Sequence, residues 1–340
     1  MIQVEGLTKK FGGFTAVDNI SFRVENKEIV GFLGPNGAGK TTTMRILTSY
    51  LAPTSGKAAI AGFDVVRNSL EARKRIGYMP ESVPFYSEMR VKEYLTFRAK
   101  LKGVPRKERT SRISEVLERC RVKEVENKII GYLSKGYRQR VGLAEAIIHN
   151  PPILILDEPT IGLDPHQIKQ TRELIKELGN NHTIIISTHI LPEVEMVCNR
   201  VIVIHQGKIA AMDTLSNLIK SQKIKLDIRG AISEIINVLK QIEGVKNISY
   251  APAFADASAG REDNSWNIMT IELTGEKDIR EDIYHKILEN KWVIREFKTE
   301  RMSLEDMFIR ITAREQLQPE ADVPSCPPLA GEAETKNNKQ

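Results

Sequence analysis

Apolar residues in this chain fall into two kinds of run, and their alternation predicts a mixed α/β protein. Short continuous blocks rich in branched residues, Ile29 to Leu33, Ile153 to Leu156 and Thr183 to Ile186, read as strands buried on both faces of a parallel sheet. Between them apolar positions recur at helical spacing: Met44, Ile46 and Leu47, then Val141, Leu143, Ala144, Ile147 and Ile148, then the segment from Ile168 to Leu178. Ahead of the first block, residues 1 to 24 alternate in shorter β-like runs, Ile2-Gln3-Val4, Ala16-Val17 and Ile20 to Val24, around a polar Thr8-Lys9-Lys10 stretch and Phe11-Gly12-Gly13. They predict a small strand-rich layer.

Lys57 to Ala61 is a further strand, Leu70 to Arg75 a helix, and Ile76 to Glu81 a buried strand ended by Pro80. Val91 to Val125 is helical, broken at Gly103-Val104-Pro105, and belongs to a helical insertion over about 82–150 whose last helix opens with Ser134 at a capping position. Val201 to His205, Gly207 and Ile209 close the sheet as a hairpin. The pattern then changes. Lys223 to Ile228, Val245 to Tyr250, Asn267 to Leu273 and Val293 to Lys298 read as strands, with Ile232 to Ile242 and Ile279 to Ile287 as helices between them. That is a βαββαβ plan, a small ferredoxin-like α+β module over 221–313 closed by a helix at Ser303 to Thr312. Residues 314–340, rich in Pro, Ala, Glu and Asn and without periodicity, read as a disordered tail.

The chemistry centres on Gly34-Pro35-Asn36-Gly37-Ala38-Gly39-Lys40-Thr41-Thr42, placed between a strand and a helix. Glycines there let backbone N–H groups converge on phosphate oxygens, and the helix N-terminus adds positive potential. Lys40 supplies a point charge and Thr41 a hydroxyl for Mg²⁺. Asp157 and Glu158 follow four consecutive β-formers, and His189 follows Thr183 to Thr188, so three ionisable groups sit at the carboxyl ends of buried parallel strands, where open α/β sheets bind ligands. Phe11, beside Gly12 and Gly13, presents a flat face to an adenine ring or packs as a core aromatic.

Length and composition fit this picture without extending it. A chain of 340 residues holds about two domains. The net charge of +6 is modest, and no dense Lys/Arg block marks a nucleic-acid arm. Cys120, Cys198 and Cys326 are far apart and not paired with histidines at metal-ligand spacing, which speaks against a disulfide framework or zinc site and for a reducing cytosol. The chain opens without a charged segment followed by an apolar one, and no apolar run reaches about twenty residues, so work at a membrane is expected to be peripheral.

With the phosphate loop, Leu133-Ser134-Lys135-Gly136, Leu156-Asp157-Glu158, Gly162-Leu163-Asp164 and Ser187-Thr188-His189 in this order, residues 1–220 resemble the ATP-binding subunit of an ABC transporter. Ile76 to Glu81, Leu133 to Glu145 and Ser303 to Phe308 look like the ABC-2-type exporters, among them gliding-motility, sodium-efflux and drug or polysaccharide exporters. The resemblance implies a P-loop cassette with antiparallel β and helical subdomains, binding ATP and Mg²⁺. It implies that Lys40 binds the β and γ phosphates, that Thr41 and Asp157 hold Mg²⁺, that Glu158 is the general base and that His189 orients base and water against the γ-phosphate. Phe11 would stack on adenine. Ser134 and Gly136 would cap ATP held by an opposing subunit, to which the loop bearing Asp164 would cross, so two cassettes, identical or paired, would close head to tail over two ATP.

Three positions, in two places, depart from the common pattern. Lys135 and Tyr137 stand where the signature usually has Gly and Gln, while Ser134 and Gly136 are kept. Glu81 replaces the usual glutamine that touches metal and water, which fits the exporter subgroup. The segment Ser82 to Met89 lies where the family receives its membrane subunit. Pro84, Phe85 and Tyr86 are the contact candidates, with packing against the helical insertion as the alternative. The expected setting is cytoplasmic, at the inner face of the cell membrane beside transmembrane permease subunits. A soluble ATPase acting on ribosomes or DNA would carry two cassettes or a long coiled coil, and a degenerate switch would not keep Lys40, Asp157, Glu158 and His189.

Overall fold

The computed structural model describes residues 1–215, 222–252, 266–273 and 279–301. Strands β1 (Ile2–Phe11) and β2 (Phe14–Val24) form an antiparallel pair, with β4 (Ser55–Ile60) on the other side of β1 and β5 (Phe63–Asp64) beyond it. Both strands are longer than their apolar runs. Lys9 pairs with Val17 and Lys10 with Thr15, so the polar stretch belongs to the strand: backbone pairing continues while Thr8 is buried and Lys10 faces solvent.

The second sheet holds the molecule together. Its order is β10 (Lys208–Thr214), β9 (Arg200–His205), β3 (Ile29–Leu33), β8 (Thr183–Thr188), β7 (Ile153–Asp157), β6 (Ile76–Met79), all parallel except the β10 edge. Every residue of β3, β7 and β8 is buried, as a sheet covered on both faces requires. Alternate residues serve opposite cores. Leu33, Leu154, Leu156, Ile184, Ile186, Val201 and Val203 join a core shared with α3 (Val91–Leu101), α4 (Arg109–Arg119), α5 (Lys135–Ile147), α6 (Pro165–Gly179) and α7 (Leu191–Val197). Val30, Phe32, Ile155, Ile185, Ile202 and Ile204 join a second core with α1 (Lys40–Leu47) and the antiparallel sheet. A continuous apolar run is therefore two period-2 patterns superposed.

Helix α7 carries no clear signal in the sequence, being seven residues long, too short to establish a helical period, with Pro192 in its first turn. It is fixed by packing. A Cβ placed on Gly31 of β3 would lie 2.8 Å from Val194 Cγ1, so glycine lets α7 sit directly on the sheet. Helix α2 (Ser69–Lys74) is where Leu70 to Arg75 predicts it.

The C-terminal elements are β11 (Gln222–Arg229), α8 (Ile232–Leu239), β12 (Val245–Pro252), β13 (Trp266–Leu273), α9 (Arg280–Glu289) and β14 (Val293–Arg301). Their antiparallel sheet has the order β12-β13-β11-β14, the arrangement of a ferredoxin-like module. Ile224, Leu226 and Ile228 alternate into its own core with Met269, Ile271, Ile283 and Ile287. The closing helix expected at Ser303 to Thr312, the tail 314–340 and Cys326 lie outside the described residues.

Cys120 and Cys198 are buried free thiols, each pushed by burial to about 12. Just beyond α5, His149 bonds Ile76 O at 3.1 Å through Nε2. Burial, then the cations Lys102, Arg112 and Arg98, lower this imidazole from 6.5 to about 4. Because the folded value lies below the unfolded one, stability is fully present above pH 6.5 and is lost as pH falls through the window toward about 4. His149→Gln is expected to flatten that acid limb, read as urea midpoints across the same window.

Candidate functional site

The parallel register brings the chemistry together. Leu33 pairs with Thr188, Asp157 with Ser187 and Met79 with Leu156, so the loops leaving β3, β8, β7 and β6 emerge side by side. They deliver the phosphate loop, His189, Glu158 and Glu81 to one edge.

Within the loop, Gly37 and Gly39 adopt left-handed φ values of 81° and 105°. A Cβ on Gly39 would lie 2.4 Å from Ala16 O, and one on Gly34 would lie 2.3 Å from Ile204 O, whereas nothing stands within 4 Å of one on Gly37. Ala38 is buried, Pro35 half-buried and Asn36 exposed. The loop is thus seated on β2 and β9 with its Asn36-Gly37 side open, and α1 begins directly after it, with Thr42 half-buried in its first turn.

Lys40 is a buried cation. Its Nζ donates to Gly34 O at 2.8 Å and Pro35 O at 3.1 Å and lies 3.4 Å from Glu158 Oε1. Both side chains are only 6% exposed, so the pairing offsets two desolvated charges. The other oxygen of Glu158 accepts from His189 Nδ1 at 2.9 Å, which puts the ring proton on that nitrogen. Glu158 itself has a left-handed φ of 48°, an uncommon conformation for a residue with a Cβ. It is held by its N–H, which donates to Ser187 O at 3.0 Å and to Ser187 Oγ at 3.1 Å.

Asp157 Oδ1 accepts from Ser187 Oγ and, at 3.3 Å, from Thr41 Oγ1. Burial pushes this carboxyl above the usual carboxylate range against those two hydroxyls, with Glu158 and Glu81 adding repulsion. Its second oxygen, Oδ2, is buried without a hydrogen-bond partner. An orphaned carboxylate oxygen beside a threonine hydroxyl suits a small hard cation that takes its other ligands from phosphate and water.

Phe11, 49% exposed, is not a core aromatic; it lines a cleft of about 440 Å³ with Phe14, Asn36, Lys40, Thr41, Glu81 and Glu158. A larger cleft of about 720 Å³ shares Thr41 and Glu81, adds Asp157, and runs past Pro80 and Pro84 to Tyr94, Arg98 and Lys102. Glu81 is exposed between the two.

Ser134, Gly136 and Asp164 form a separate cluster. Ser134 caps α5, accepting from Tyr137 N at 3.4 Å, and Asp164 caps α6, accepting from Gln167 N at 2.9 Å. A Cβ on Gly136 would fall 2.0 Å from Gln167 Oε1, and one on Gly162 would fall 2.1 Å from Lys135 Nζ. Neither cleft is lined by these residues. Of the contact candidates, Pro84 and Tyr86 are exposed, while Phe85 and Tyr86 also pack on α3 through Tyr94 and Phe97 at centroid distances of 5.3 and 5.6 Å. Ser187, which braces both Asp157 and Glu158, is the residue sequence reasoning passed over. Its signal was a small hydroxyl ending an unbroken apolar strand.

Residues 17–161 match the family described as ABC transporter. The chain is 43% identical over 211 residues to the bacitracin transport ATP-binding protein BcrA of Bacillus licheniformis, covering 62% of this chain and 68% of that protein. It is 37% identical over 236 residues to the ABC transporter ATP-binding protein NatA of Bacillus subtilis, covering 69% of this chain and 92% of that protein. Among solved structures, a dimeric post-hydrolysis state of an ATP-binding cassette bound to ADP and Pi matches with a TM-score of 0.59 at 26% identity, covering 63% of this chain and 99% of that one.

The seating of the loop makes one position sensitive. Gly39→Ala combines a left-handed φ of 105° with a backbone clash. It is expected to weaken nucleotide binding about tenfold or more, given about 1–3 kcal/mol of backbone strain before the clash, as measured by calorimetric titration.

Proposed function

This chain belongs to the ABC transporter ATP-binding proteins, and on that footing we propose that it drives an ABC-2-type membrane exporter by closing head to tail with a second cassette over two ATP. As a member of the family it binds ATP, hydrolyses it to ADP and phosphate in the service of transport, and works with transmembrane permease subunits and a paired cassette. The observation that carries the proposal is the chain Lys40–Glu158–His189, buried at Lys40 and Glu158, beside the Thr41–Asp157 pair, assembled from neighbouring strand ends.

In this reading Lys40 exchanges its loop carbonyls for the β and γ phosphates, and Gly34 to Thr42 surround them with backbone donors. Phe11 meets the adenine. Thr41 and Asp157, with Glu81 alongside, would hold Mg²⁺, which would supply positive charge against the phosphates. Glu158 takes the proton from the attacking water as the bond from Pγ to the bridging oxygen breaks, leaving ADP. His189 holds the carboxylate by its Nδ1–H and faces the γ-phosphate with the rest of its ring.

Ser134, Gly136 and Asp164 lie outside the chain's own cleft, which suits residues that complete a partner's site. Exchange of Lys40 from Glu158 to phosphate would free the base only once nucleotide is seated. The exporter assignment rests on Glu81 and the Ile76 to Glu81 and Leu133 to Glu145 runs, and agrees with relatives named for bacitracin transport and NatA. We divide the chain into a cassette over 1–220 and an accessory module over 221–313. The permease would dock at Pro84, Phe85 and Tyr86, along the larger cleft, at the inner face of the membrane. Among the described residues no helix is long and apolar enough to cross one.

Glu158→Gln keeps the shape of the base and removes its charge. With Mg-ATP it is expected to run as a dimer in light-scattering chromatography, while the wild type turns ATP over and the variant loses about a hundredfold or more in rate. A variant that stays monomeric with ATP bound, beside a wild type that hydrolyses it, would sink the composite-site reading.

A further inference from the structure

His189 touches Glu158, yet its own ring is 39% exposed, so its aim is set by the backbone on either side of it. That backbone is clamped by one buried hydroxyl. Thr188 Oγ1 accepts from Ile190 N at 3.1 Å and donates to Glu193 Oε2 at 3.0 Å, bracketing His189 between the residue before it and the residue after. Thr188 is 1% and Glu193 5% exposed. The charge of Glu193 faces Arg172 of α6, whose Nη2 lies 3.6 Å from Glu193 Oε1.

Behind this pair is a cavity of about 10 Å³, the size of one water molecule, lined mostly by apolar side chains of β8, α6 and α7 and by four polar residues, Thr160, Arg172, Thr188 and Glu193. Three atoms of that lining are buried without a hydrogen-bond partner: Thr160 Oγ1, Arg172 Nε and Glu193 Oε1. They are two donors and an acceptor, the set that a single water satisfies. Thr160 stands two residues after Glu158 in the chain. One carboxylate on α7 therefore faces the segment that carries His189 directly and the segment that carries Glu158 across a water-sized gap.

We propose that Thr188 and Glu193 are positioning residues for hydrolysis, holding the His189 imidazole against Glu158 through the Ile190 backbone and, by a bridging water to Thr160 and Arg172, fixing the two catalytic segments relative to each other. A buried carboxylate is a costly way to pack a helix onto a sheet, and an apolar side chain would fill the same place more cheaply. Its presence between the two segments is explained by alignment. An acidic residue in the first turn of α7 also favours that helix electrostatically, and this role is separable by kinetics.

The inference rests on the proposed roles of Glu158 and His189, so the test carries a control for them. Steady-state ATPase kinetics of the full chain are compared for Thr188→Val, Thr188→Ser, Glu193→Gln and His189→Ala, with ATP binding and thermal melting measured on each. Thr188→Val, nearly isosteric but without the hydroxyl, is expected to lower kcat about tenfold with KM for ATP unchanged, as a small misalignment of reacting groups does. Thr188→Ser restores the hydroxyl and is expected to restore kcat. Glu193→Gln keeps an acceptor for Thr188 but loses the charge, and is expected to fall between them. If His189→Ala is impaired while Thr188→Val turns over normally, the positioning role is wrong and the site reading stands. If His189→Ala turns over normally, the site reading itself fails. Loss of kcat, binding and thermal stability together in both Thr188 variants would show a structural role and overturn the inference.

Discussion

Lys40 and Glu158 meet with only 6% of each side chain exposed, and much of the cassette's architecture serves to make that meeting tolerable. Lys40 follows β3 and Glu158 follows β7, with β8 between them in the sheet. The intervening strand supplies what the pair lacks. Ser187 fixes the Glu158 backbone in its left-handed turn, and His189 takes the carboxylate oxygen that Lys40 leaves free. Displacing any of the three strands by a residue would reverse which side chains face each core and separate these groups. The two-sided burial of the sheet is what keeps the register single.

The neighbouring clefts share Thr41 and Glu81, so the space beside the Gly34 to Thr42 loop is continuous with the one that reaches the helical insertion. The wall of the larger cleft is itself bonded. Tyr94 of α3 donates to Glu145 of α5, and Glu145 also pairs with Arg98 of α3. Burial, then Glu145, hold the Tyr94 phenol above its ordinary range and so keep it a donor. Helix α5 is the one that opens with Ser134. Tyr94 and Glu145, both buried, thus tie α3 to the helix that opens with Ser134.

Much of this was legible from residue order alone. The run Gly34 to Thr42 between an apolar strand and a helix, and carboxylates or histidine directly after apolar strands, can be read locally because each depends on backbone conformations set within a few residues. The βαββαβ plan of the C-terminal module was legible for the same reason, from changes of period between 2 and 3.6. Helix α7 was not, since its seven residues are too few to show a period and it packs directly on Gly31, gaining its stability from that contact. Whether Phe11 faced solvent or core was equally open, as both uses of an aromatic look alike in one dimension. Its exposure beside the phosphate loop was decided by the β1–β2 turn.

What the sequence determined by itself, then, was the set of chemical groups, their chain order and the strand ends that carry them, because motif spacing and hydrophobic period are local properties. What only the tertiary structure decided was which groups share a charge or a cavity: Lys40 with Glu158, Ser187 with Asp157, and Glu193 with Thr188, Arg172 and Thr160. All but the contact of Thr188 with Glu193 join residues far apart in the chain, and they are set by the parallel register of the sheet and the helices packed on it, which depend on packing the whole chain at once.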